Sequence, residues 1–323
     1  MGDARGVMDQ NLQGLSTPVP GEFVHRADPA DILPTGWARV AENRFSVTAR
    51  WPGDHPYFVP RTGDRHDPLL VAETMRQATM LICHAEFGVP ADDQFVMWDL
   101  SYGAVAGELT RTGGPTEITV DLLCSDIRTR GRGLREMRTA LVLSRDGRRL
   151  ASGGGGINCT SAPAYRRMRG ARMAVLADSV PLLPALPPHL VGRDREKDVV
   201  LAPGDAPGRW RLRVDTTHPT LFRRPNDHVP GMMLLEAARQ AAVAATADPG
   251  LLPVGLDARF HRYVELDEPC WFEAEVLTGL DRDTVTVQVF AHQGGAAVLD
   301  CTLISPRRVP AAASLAPAAR TAD

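Results

Sequence analysis

The sequence predicts a protein of the α+β class built from two copies of one unit, each a twisted antiparallel sheet wrapped around a central helix. The first observation is an internal repeat: a segment that starts at His55 recurs at His218, 163 residues later (218 − 55), in a chain of 323. The second is that one order of predicted elements surrounds both segments: one strand, one long apolar helix and then several strands.

The repeated segment is HPYFVPRTGDRHDPLLVAETMRQA in the first copy and HPTLFRRPNDHVPGMMLLEAARQA in the second. Aligned without a gap, eight of 24 positions are identical, which is difficult to obtain by chance at an offset close to half the chain. The identical pairs are His55/His218, Pro56/Pro219, Arg61/Arg224, Asp64/Asp227, Glu73/Glu236, Arg76/Arg239, Gln77/Gln240 and Ala78/Ala241. We interpret the chain as a tandem duplication.

Each copy contains one predicted buried helix. The apolar run after Pro68 lacks internal Gly or Pro and ends at Gly88-Val89-Pro90. The run after Pro230 is similar and ends at Pro249-Gly250.

Strands with alternating apolar residues are predicted around these helices. They begin near Phe45, Phe95, Glu117, Leu134 and Arg148 in the first copy and near Arg209, Val254, Cys270, Thr284 and Ala296 in the second. One strand, a long buried helix and a run of antiparallel strands, all occurring twice, is the element order of the hot-dog fold. The sequence therefore predicts a tandem (double) hot-dog fold, in which one chain forms the pair that other hot-dog proteins form as dimers.

The expected domain organisation follows from the repeat and from the Pro-rich stretch SVPLLPALPPHL. We expect a flexible tail over 1–20, a first hot-dog domain over 21–160, a Pro-rich linker over 161–205, a second hot-dog domain over 206–308 and a flexible tail over 309–323.

Composition narrows the class of protein. The net charge of −3 gives no general attraction to nucleic acid or to an anionic membrane, and neither is expected as a partner. The five cysteines are widely spaced and form no CxxC pair, which argues against a disulfide framework or a zinc site. The N-terminal residues have no apolar core, so we expect no signal peptide, no membrane span, a cytoplasmic location and no metal or cofactor.

The chemistry is expected where polar residues interrupt the apolar helices. The motif E-x-x-R-Q places three side chains on one helix face. These are Glu73, Arg76 and Gln77 in the first copy and Glu236, Arg239 and Gln240 in the second. Burying a carboxylate and a guanidinium is costly unless they pair or bind something. Either each pair is an ion pair that locks its helix in place, or at least one set lines a pocket between the halves.

Two resemblances bear on function. PGMMLLEAARQ, from Pro230 to Gln240, resembles the helix start of the 3-hydroxyacyl-carrier-protein dehydratases, with Glu236 and Gln240 at matching positions. The dehydratase histidine would lie fourteen residues before the acid, where this chain has Phe222, or Val59 in the first copy, and this argues against dehydration.

A resemblance to the AfsA family, the A-factor or γ-butyrolactone synthases of actinobacteria, covers nearly the whole chain. It runs through VHRADPADILPTGW, ENRFSVTARWPGDHPYF, LLVAETMRQA and DHVPGMMLLEAARQA. The resemblance implies an acyltransferase that moves a 3-oxoacyl chain from acyl carrier protein to the hydroxyl of dihydroxyacetone phosphate. The alternatives are another hot-dog enzyme of acyl thioesters, such as a hydratase or thioesterase, and a catalytically silent acyl-binding relative with a regulatory role.

If the chain is the acyltransferase that this resemblance implies, roles can be assigned to the motif residues. Glu73 or Glu236 would be the base, because burial can raise the pKa of a carboxylate. Arg239, or secondarily Arg76, would bind the phosphate, with Glu73 and Arg239 as the essential pair. Amides near Leu69 and Gly231 would polarise the thioester carbonyl. The further predicted substrate-binding residues are Gln77, Gln240 and His228.

Three other features receive simpler interpretations. His55 and His218 precede Pro and are expected to be structural. The basic run from Ile127 to Arg138 lacks interleaved aromatic residues, so we expect a solvated hairpin, with docking of the acidic carrier protein as a second use. SGGGGI lacks the Lys of a P-loop and predicts a strand in which glycines permit close packing.

Overall fold

The computed structural model describes residues 19–58, 64–131, 133–174, 180–222, 226–278 and 281–307. The predicted C-terminal tail and all but the last two residues of the predicted N-terminal tail lie outside these ranges. So does one identical pair of the repeat alignment, Arg61 and Arg224.

Within these ranges, twelve antiparallel strands form one continuous sheet in the order β1-β2-β4-β5-β6-β3-β9-β12-β11-β10-β8-β7. The first half contributes β1 (Pro34–Ala41), β2 (Arg44–Trp51), β3 (Gln94–Ala104), β4 (Thr116–Arg130), β5 (Gly133–Arg145) and β6 (Arg148–Thr160). The second half contributes β7 (Leu201–Pro203), β8 (Arg209–Leu212), β9 (Gly255–Phe260), β10 (Cys270–Leu277), β11 (Thr284–Gln293) and β12 (Ala296–Pro306). Counted inwards from the two edges, each strand of the first half has its counterpart of the second half at the same place, so the sheet has pseudo-twofold symmetry.

The two halves join edge to edge through β3 and β9. These strands pair antiparallel, with Asp99 opposite Arg259 and Tyr102 opposite Leu256. The predicted tandem hot-dog arrangement is confirmed, and all ten predicted strands are present. The sequence did not predict β1 and β7, which form the two outer edges of the sheet.

Two long helices pack against the sheet, α1 (Leu69–Phe87) and α3 (Gly231–Thr246), with the short α2 (Ala162–Arg169) between them in the chain. Helix α1 ends where predicted, at Gly88, whose φ of 62° is the left-handed conformation that Gly adopts readily. Helix α3 ends at Ala247, just before the predicted stop. Of the described helices, none is long and apolar enough to cross a bilayer.

Strand β6 shows why its glycines are needed. A Cβ atom built on Gly156 would lie 2.2 Å from the Trp98 ring, and one on Gly154 would lie 2.2 Å from the backbone oxygen of Thr139. The predicted close packing of this strand is confirmed.

The segment predicted as a linker, 161–205, carries more structure than an extended connector. It contains α2, the 3₁₀ helices Pro188–Val191 and Glu196–Asp198, and β7, while residues 181–187 have no regular secondary structure. The two 3₁₀ helices correspond to Gly21–Val24 and Pro29–Asp31 in the first half. Residues from about 188 onwards therefore belong to the repeating unit.

Candidate active site

Glu73 is the centre of a buried ion cluster at the start of α1. Its carboxylate accepts hydrogen bonds from Nε and Nη2 of Arg26 (3.0 and 2.6 Å) and from Nε and Nη2 of Arg76 (2.9 and 2.8 Å). Gln77 donates a further bond of 2.5 Å from Nε2. The Glu73 side chain is 1% exposed, and those of Arg26 and Arg76 are 10% and 19% exposed.

The second copy repeats this cluster around Glu236. Arg193 donates two bonds of 2.7 Å to the carboxylate, and Arg239 donates bonds of 2.9 and 2.7 Å. Gln240 donates from Nε2 at 2.5 Å. The E-x-x-R-Q motif thus builds the same ion cluster twice, each with a second arginine that precedes the motif glutamate by more than forty residues.

The two glutamines hold the backbone. Gln77 donates to the carbonyl of Asp31 (2.8 Å) and accepts from the amide of Leu33 (2.9 Å). Gln240 makes the equivalent bonds to Asp198 (2.8 Å) and Val200 (3.0 Å). Both amides are fully buried and their polar atoms are already occupied, so the contacts give them a structural role.

His55 and His218 are structural in the same sense. His55 Nε2 lies 2.9 Å from the Asp31 carboxylate, and Nδ1 accepts from the amide of Tyr57. His218 makes the matching contact to Asp198 at 3.3 Å. Each imidazole thus ties the loop after its strand to the 3₁₀ helix that carries the aspartate.

The expected rise in the pKa of Glu73 and Glu236 is wrong. Burial acts to raise the pKa of Glu73, but the charges of Arg26 and Arg76 and the hydrogen bonds to Glu73 outweigh it and lower the pKa to about 2. The pKa of Glu236 is lowered well below its ordinary value for the same reason, with Arg193 and Arg239 as the partners. Neither carboxylate is therefore suited to accept a proton near neutral pH.

A cavity of about 750 Å³ lies between the two halves, next to the Glu73 cluster. Arg26 and Arg76 line it from the first half, and Pro230, Gly231 and Met232 at the start of α3 line it from the second. The remaining wall is mostly apolar and includes Phe95, Met97, Leu100, Ile157, Leu234 and Phe260. Its size and its combination of apolar wall and few charged groups are typical of a small-molecule site.

The cluster around Glu236 does not line this cavity. Arg193 donates to the carbonyl oxygen of Tyr57 (3.0 Å), while its guanidinium lies 4.3 Å from the centroid of the Tyr57 ring. The equivalent bond in the first cluster runs from Arg26 to Thr220 (2.5 Å), where the side chain is small. The ring of Tyr57 therefore fills space that stays open on the other side.

The two clusters also differ in net charge. Asp67 lies 3.6 Å from Arg193, so the second cluster balances two arginines with two carboxylates. Pro230 occupies the position of Asp67 in the other copy. Among the residues that the structure describes, Glu73 alone is within ion-pair distance of Arg26 and Arg76. One positive charge is left without a counterpart, on the side that faces the cavity.

Comparison with known proteins agrees with this architecture. The family model for the A-factor biosynthesis hotdog domain, AfsA, matches residues 8–161 and 177–305. The chain belongs to the AfsA family.

Curated relatives of this AfsA-family chain carry the name 2-oxo-3-(phosphooxy)propyl 3-oxoalkanoate synthase. One from Streptomyces griseus is 47% identical over 290 residues, which is 90% of this chain and 96% of that protein. One from Streptomyces virginiae is 45% identical over 289 residues, 90% of this chain and 98% of that protein. Among solved structures, a putative oleoyl thioesterase from Lactobacillus plantarum aligns with a TM-score of 0.52 at 13% identity, covering 81% of this chain and 95% of that one, which shows a shared fold.

The remaining predicted site residue, His228, lines the cavity of the AfsA-family chain beside the start of α3. The amides of Gly231 and Met232 in this first turn have no acceptor within the part of the chain that the structure describes. Leu69, the other predicted amide position, is not among the cavity-lining residues. Of the predicted residues, the structure thus brings Arg76, His228 and the start of α3 together, with Glu73 directly behind Arg76.

Arg26 and Arg193 are the site residues that sequence reasoning missed. A signal was present, because VHRADPADIL and VGRDREKDVV share a Val, an Arg and an Asp at the same spacing. Their offset is 167 residues (193 − 26), four more than that of the main repeat, so a gapless search does not extend to them. The spacing differs because the edge hairpin between these segments and their helices is shorter in the second half, where β7 and β8 have three and four residues against eight each in β1 and β2.

Proposed function

We propose that this AfsA-family chain transfers a 3-oxoacyl group from an acyl-carrier-protein thioester to the hydroxyl of dihydroxyacetone phosphate, forming a 2-oxo-3-(phosphooxy)propyl 3-oxoalkanoate. The observation that carries the proposal is the cavity between the halves, which has Arg26 and Arg76 of the buried cluster on one side and a mostly apolar wall that also includes Glu22 and Arg262. The names of the curated relatives support the same reaction.

The phosphate of the acceptor is assigned to Arg26 and Arg76. A phosphate monoester carries about −1.5 to −2 charges at neutral pH and accepts bidentate hydrogen bonds from guanidinium. The cluster around Glu73 has one positive charge in excess and lines the cavity, whereas Arg239 is held in a balanced cluster away from it. Arg76 therefore replaces Arg239 as the preferred phosphate ligand.

Glu73 is assigned a positioning role. Its carboxylate binds both arginines through their Nε and Nη2 atoms, which fixes the guanidinium planes. Arg26 also donates from Nη1 to the Thr220 carbonyl, and Arg76 donates to Met80 Sδ and the Val24 carbonyl, so two N–H groups of Arg26 and one of Arg76 are left for a ligand. A preformed pair of this kind reduces the entropy lost when the anion binds.

The acyl thioester is assigned to the apolar wall and to the start of α3. The uncommitted amides of Gly231 and Met232 lie at the positive end of a 16-residue helix. They are suited to stabilise the oxyanion that forms when the hydroxyl attacks the thioester carbonyl, an interaction worth roughly 2.7–4 kcal/mol per donor.

The carrier protein is assigned to the hairpin between β4 and β5. Arg128 and Arg130 are exposed in this hairpin, as the sequence predicted. In the register of the sheet, Arg128 on β4 lies opposite Glu136 on β5, and Glu136 lies opposite Asn158 on β6. Asn158 in turn lies opposite Val96 on β3, which lines the cavity. Three strand spacings of about 4.8 Å thus separate the arginine from the cavity wall, a distance of roughly 14 Å.

The test uses purified protein, a 3-oxoacyl carrier-protein thioester and either dihydroxyacetone phosphate or dihydroxyacetone, with products followed by mass spectrometry. We expect the phosphorylated ester from the wild type, with strong preference for the phosphorylated acceptor. Arg76→Met should raise the KM for dihydroxyacetone phosphate on the order of 30-fold or more and reduce that preference, since truncating one partner of a buried charge contact costs about 2 kcal/mol or more.

Arg239→Met is the matched control, because it removes the same residue from the cluster that does not line the cavity. We expect its stability to fall while its acceptor KM stays close to that of the wild type. Equal acceptor KM values for Arg76→Met and the wild type would contradict the phosphate assignment. Acceptor-independent release of free acid would indicate a thioesterase instead, and binding without turnover would indicate a silent relative.

A further inference from the structure

Beside the start of α3, a histidine and an aspartate form a hydrogen-bonded pair at the cavity wall. Nδ1 of His228 lies 2.9 Å from Oδ1 of Asp227, and the Tyr165 hydroxyl donates to the same oxygen at 2.7 Å. Because an ionised carboxylate can only accept, Nδ1 carries a proton, and in the neutral imidazole Nε2 is the nitrogen that holds the lone pair. Nε2 has no hydrogen-bond partner among the residues that the structure describes, and His228 lines the cavity.

Asp227 is held in the ionised, oriented state that such a pair requires. Arg169 donates to its second oxygen at 2.6 Å and also forms a bidentate pair with Glu265 (2.8 and 2.7 Å). Burial acts to raise the pKa of Asp227, but hydrogen bonds from His228, Arg169 and Tyr165 lower it well below its ordinary value. The aspartate therefore fixes both the ring orientation and the tautomer of His228.

The first copy shows that the fold does not require this imidazole. Arg65 occupies the position of His228 in the repeat, after Asp64, the counterpart of Asp227. Both positions make the same isolated backbone bridge, Arg65 to Thr110 and His228 to Glu265. The backbone is thus equivalent, and the histidine is present only in the copy whose helix start faces the cavity.

We propose that His228, oriented by Asp227, is the general base that activates the acceptor hydroxyl. The assignment rests on the acyl transfer proposed above. Nε2 takes the hydroxyl proton as the alkoxide oxygen bonds to the thioester carbonyl carbon. When the tetrahedral intermediate collapses, the C–S bond breaks and the imidazolium returns the proton to the departing thiolate, so the ester and the free carrier thiol are the only products.

The arrangement gives each group around the cavity a separate task. In the proposed complex, Arg26 and Arg76 hold the phosphate, the α3 amides hold the oxyanion and His228 takes the hydroxyl proton. All of these groups line the same cavity. The carboxylates of both E-x-x-R-Q motifs are committed to arginines. The charged and titratable groups that surround His228 are Asp227 on its own loop, Tyr165 and Arg169 from α2, and His261, Arg262, Tyr263 and Glu265 from the segment after β9.

The experiment measures kcat, acceptor KM and the pH dependence of ester formation for the wild type, His228→Asn and Asp227→Asn. We expect His228→Asn to lower kcat by about 10²–10⁴-fold, with acceptor KM changed by less than about threefold and the acidic limb of the pH profile lost. Added imidazole should restore part of the rate. Asp227→Asn should also lower kcat, because an amide no longer fixes the reactive tautomer.

His189→Asn is the control, since His189 is exposed on the 3₁₀ helix Pro188–Val191 and should leave every parameter unchanged. Circular dichroism and thermal unfolding show whether each variant is folded. If the wild type forms ester while folded His228→Asn retains its kcat and an unchanged pH profile, the base assignment is overturned and the acyl transfer stands. If the wild type forms no ester, the proposed function fails, and this assignment fails with it.

Discussion

Replacing Glu73 by Gln tests whether this carboxylate is an ion-pair centre, as the structure indicates. The substitution preserves shape and removes the charge that two arginines share. The free energy by which the ionised carboxylate stabilises the folded protein follows from the pKa of Glu73, which is lowered from 4.5 to about 2 on folding. At about 1.36 kcal/mol per pH unit, this difference corresponds to roughly 3 kcal/mol, in the range found when one partner of a buried pair is removed.

The sign of the pH dependence follows from the direction of the shift. Because the folded-state pKa is below the unfolded one, the stabilisation is fully present above pH 4.5 and is lost as the pH falls through about 2. The substituted glutamine is neutral at every pH, so the difference between wild type and Glu73→Gln reports on the carboxylate alone. We expect the difference to shrink from roughly 3 kcal/mol at pH 7 to roughly 1 kcal/mol at pH 3.

The assay is urea unfolding of both proteins at pH 7 and pH 3, followed by circular dichroism. Glu117→Gln is the matched control, because Glu117 pairs with Arg50 on the surface, where both side chains are more than half exposed. Such a pair contributes about 0–1 kcal/mol, so the control should unfold almost like the wild type. A difference for Glu73→Gln that is below about 1 kcal/mol, or that does not change with pH, would refute the ion-pair account.

Two further predictions concern the surface and the core. Replacing Arg128 and Arg130 together by Glu should raise the KM for the carrier-protein thioester about tenfold or more in the ester assay. The KM for a free pantetheine thioester should stay unchanged, because the exposed charges steer only the carrier. Equal effects on both substrates would argue against docking of the carrier at this hairpin. All five cysteines are buried and unpaired, so a thiol reagent such as Ellman's should react with them only as the protein unfolds; rapid labelling of the folded protein would contradict that burial.

The features that sequence predicted well are those encoded within a few residues. The apolar runs of α1 and α3 have clear ends, such as Gly88 with its left-handed backbone. Strands β1 and β7 were missed for local reasons: the outer half of β1 is exposed, and β7 is only three residues long. Short edge strands carry little of the alternating pattern on which strand prediction depends.

The site was harder to predict, because its contacts are distant in the chain. Arg26 and Glu73 are 47 residues apart, and only the fold shows that they meet. Burial was correctly expected for both motif glutamates, but burial alone gave the wrong direction for their pKa. The direction depends on how many cations surround the carboxylate, and sequence spacing showed only one of the two.

Duplication explains how the same motif can serve two purposes. In a symmetric dimer, both clusters would have to meet the same constraints, so a side chain that neutralises one would neutralise the other. In a single chain the positions are independent. Asp67 balances the charge of the cluster at Glu236 and Tyr57 fills the space beside it. At the matching positions, Pro230 leaves the cluster at Glu73 cationic and Thr220 leaves it open. The same independence lets His228 replace Arg65 where an imidazole faces the cavity. One cluster can then contribute stability while the other provides the acceptor site.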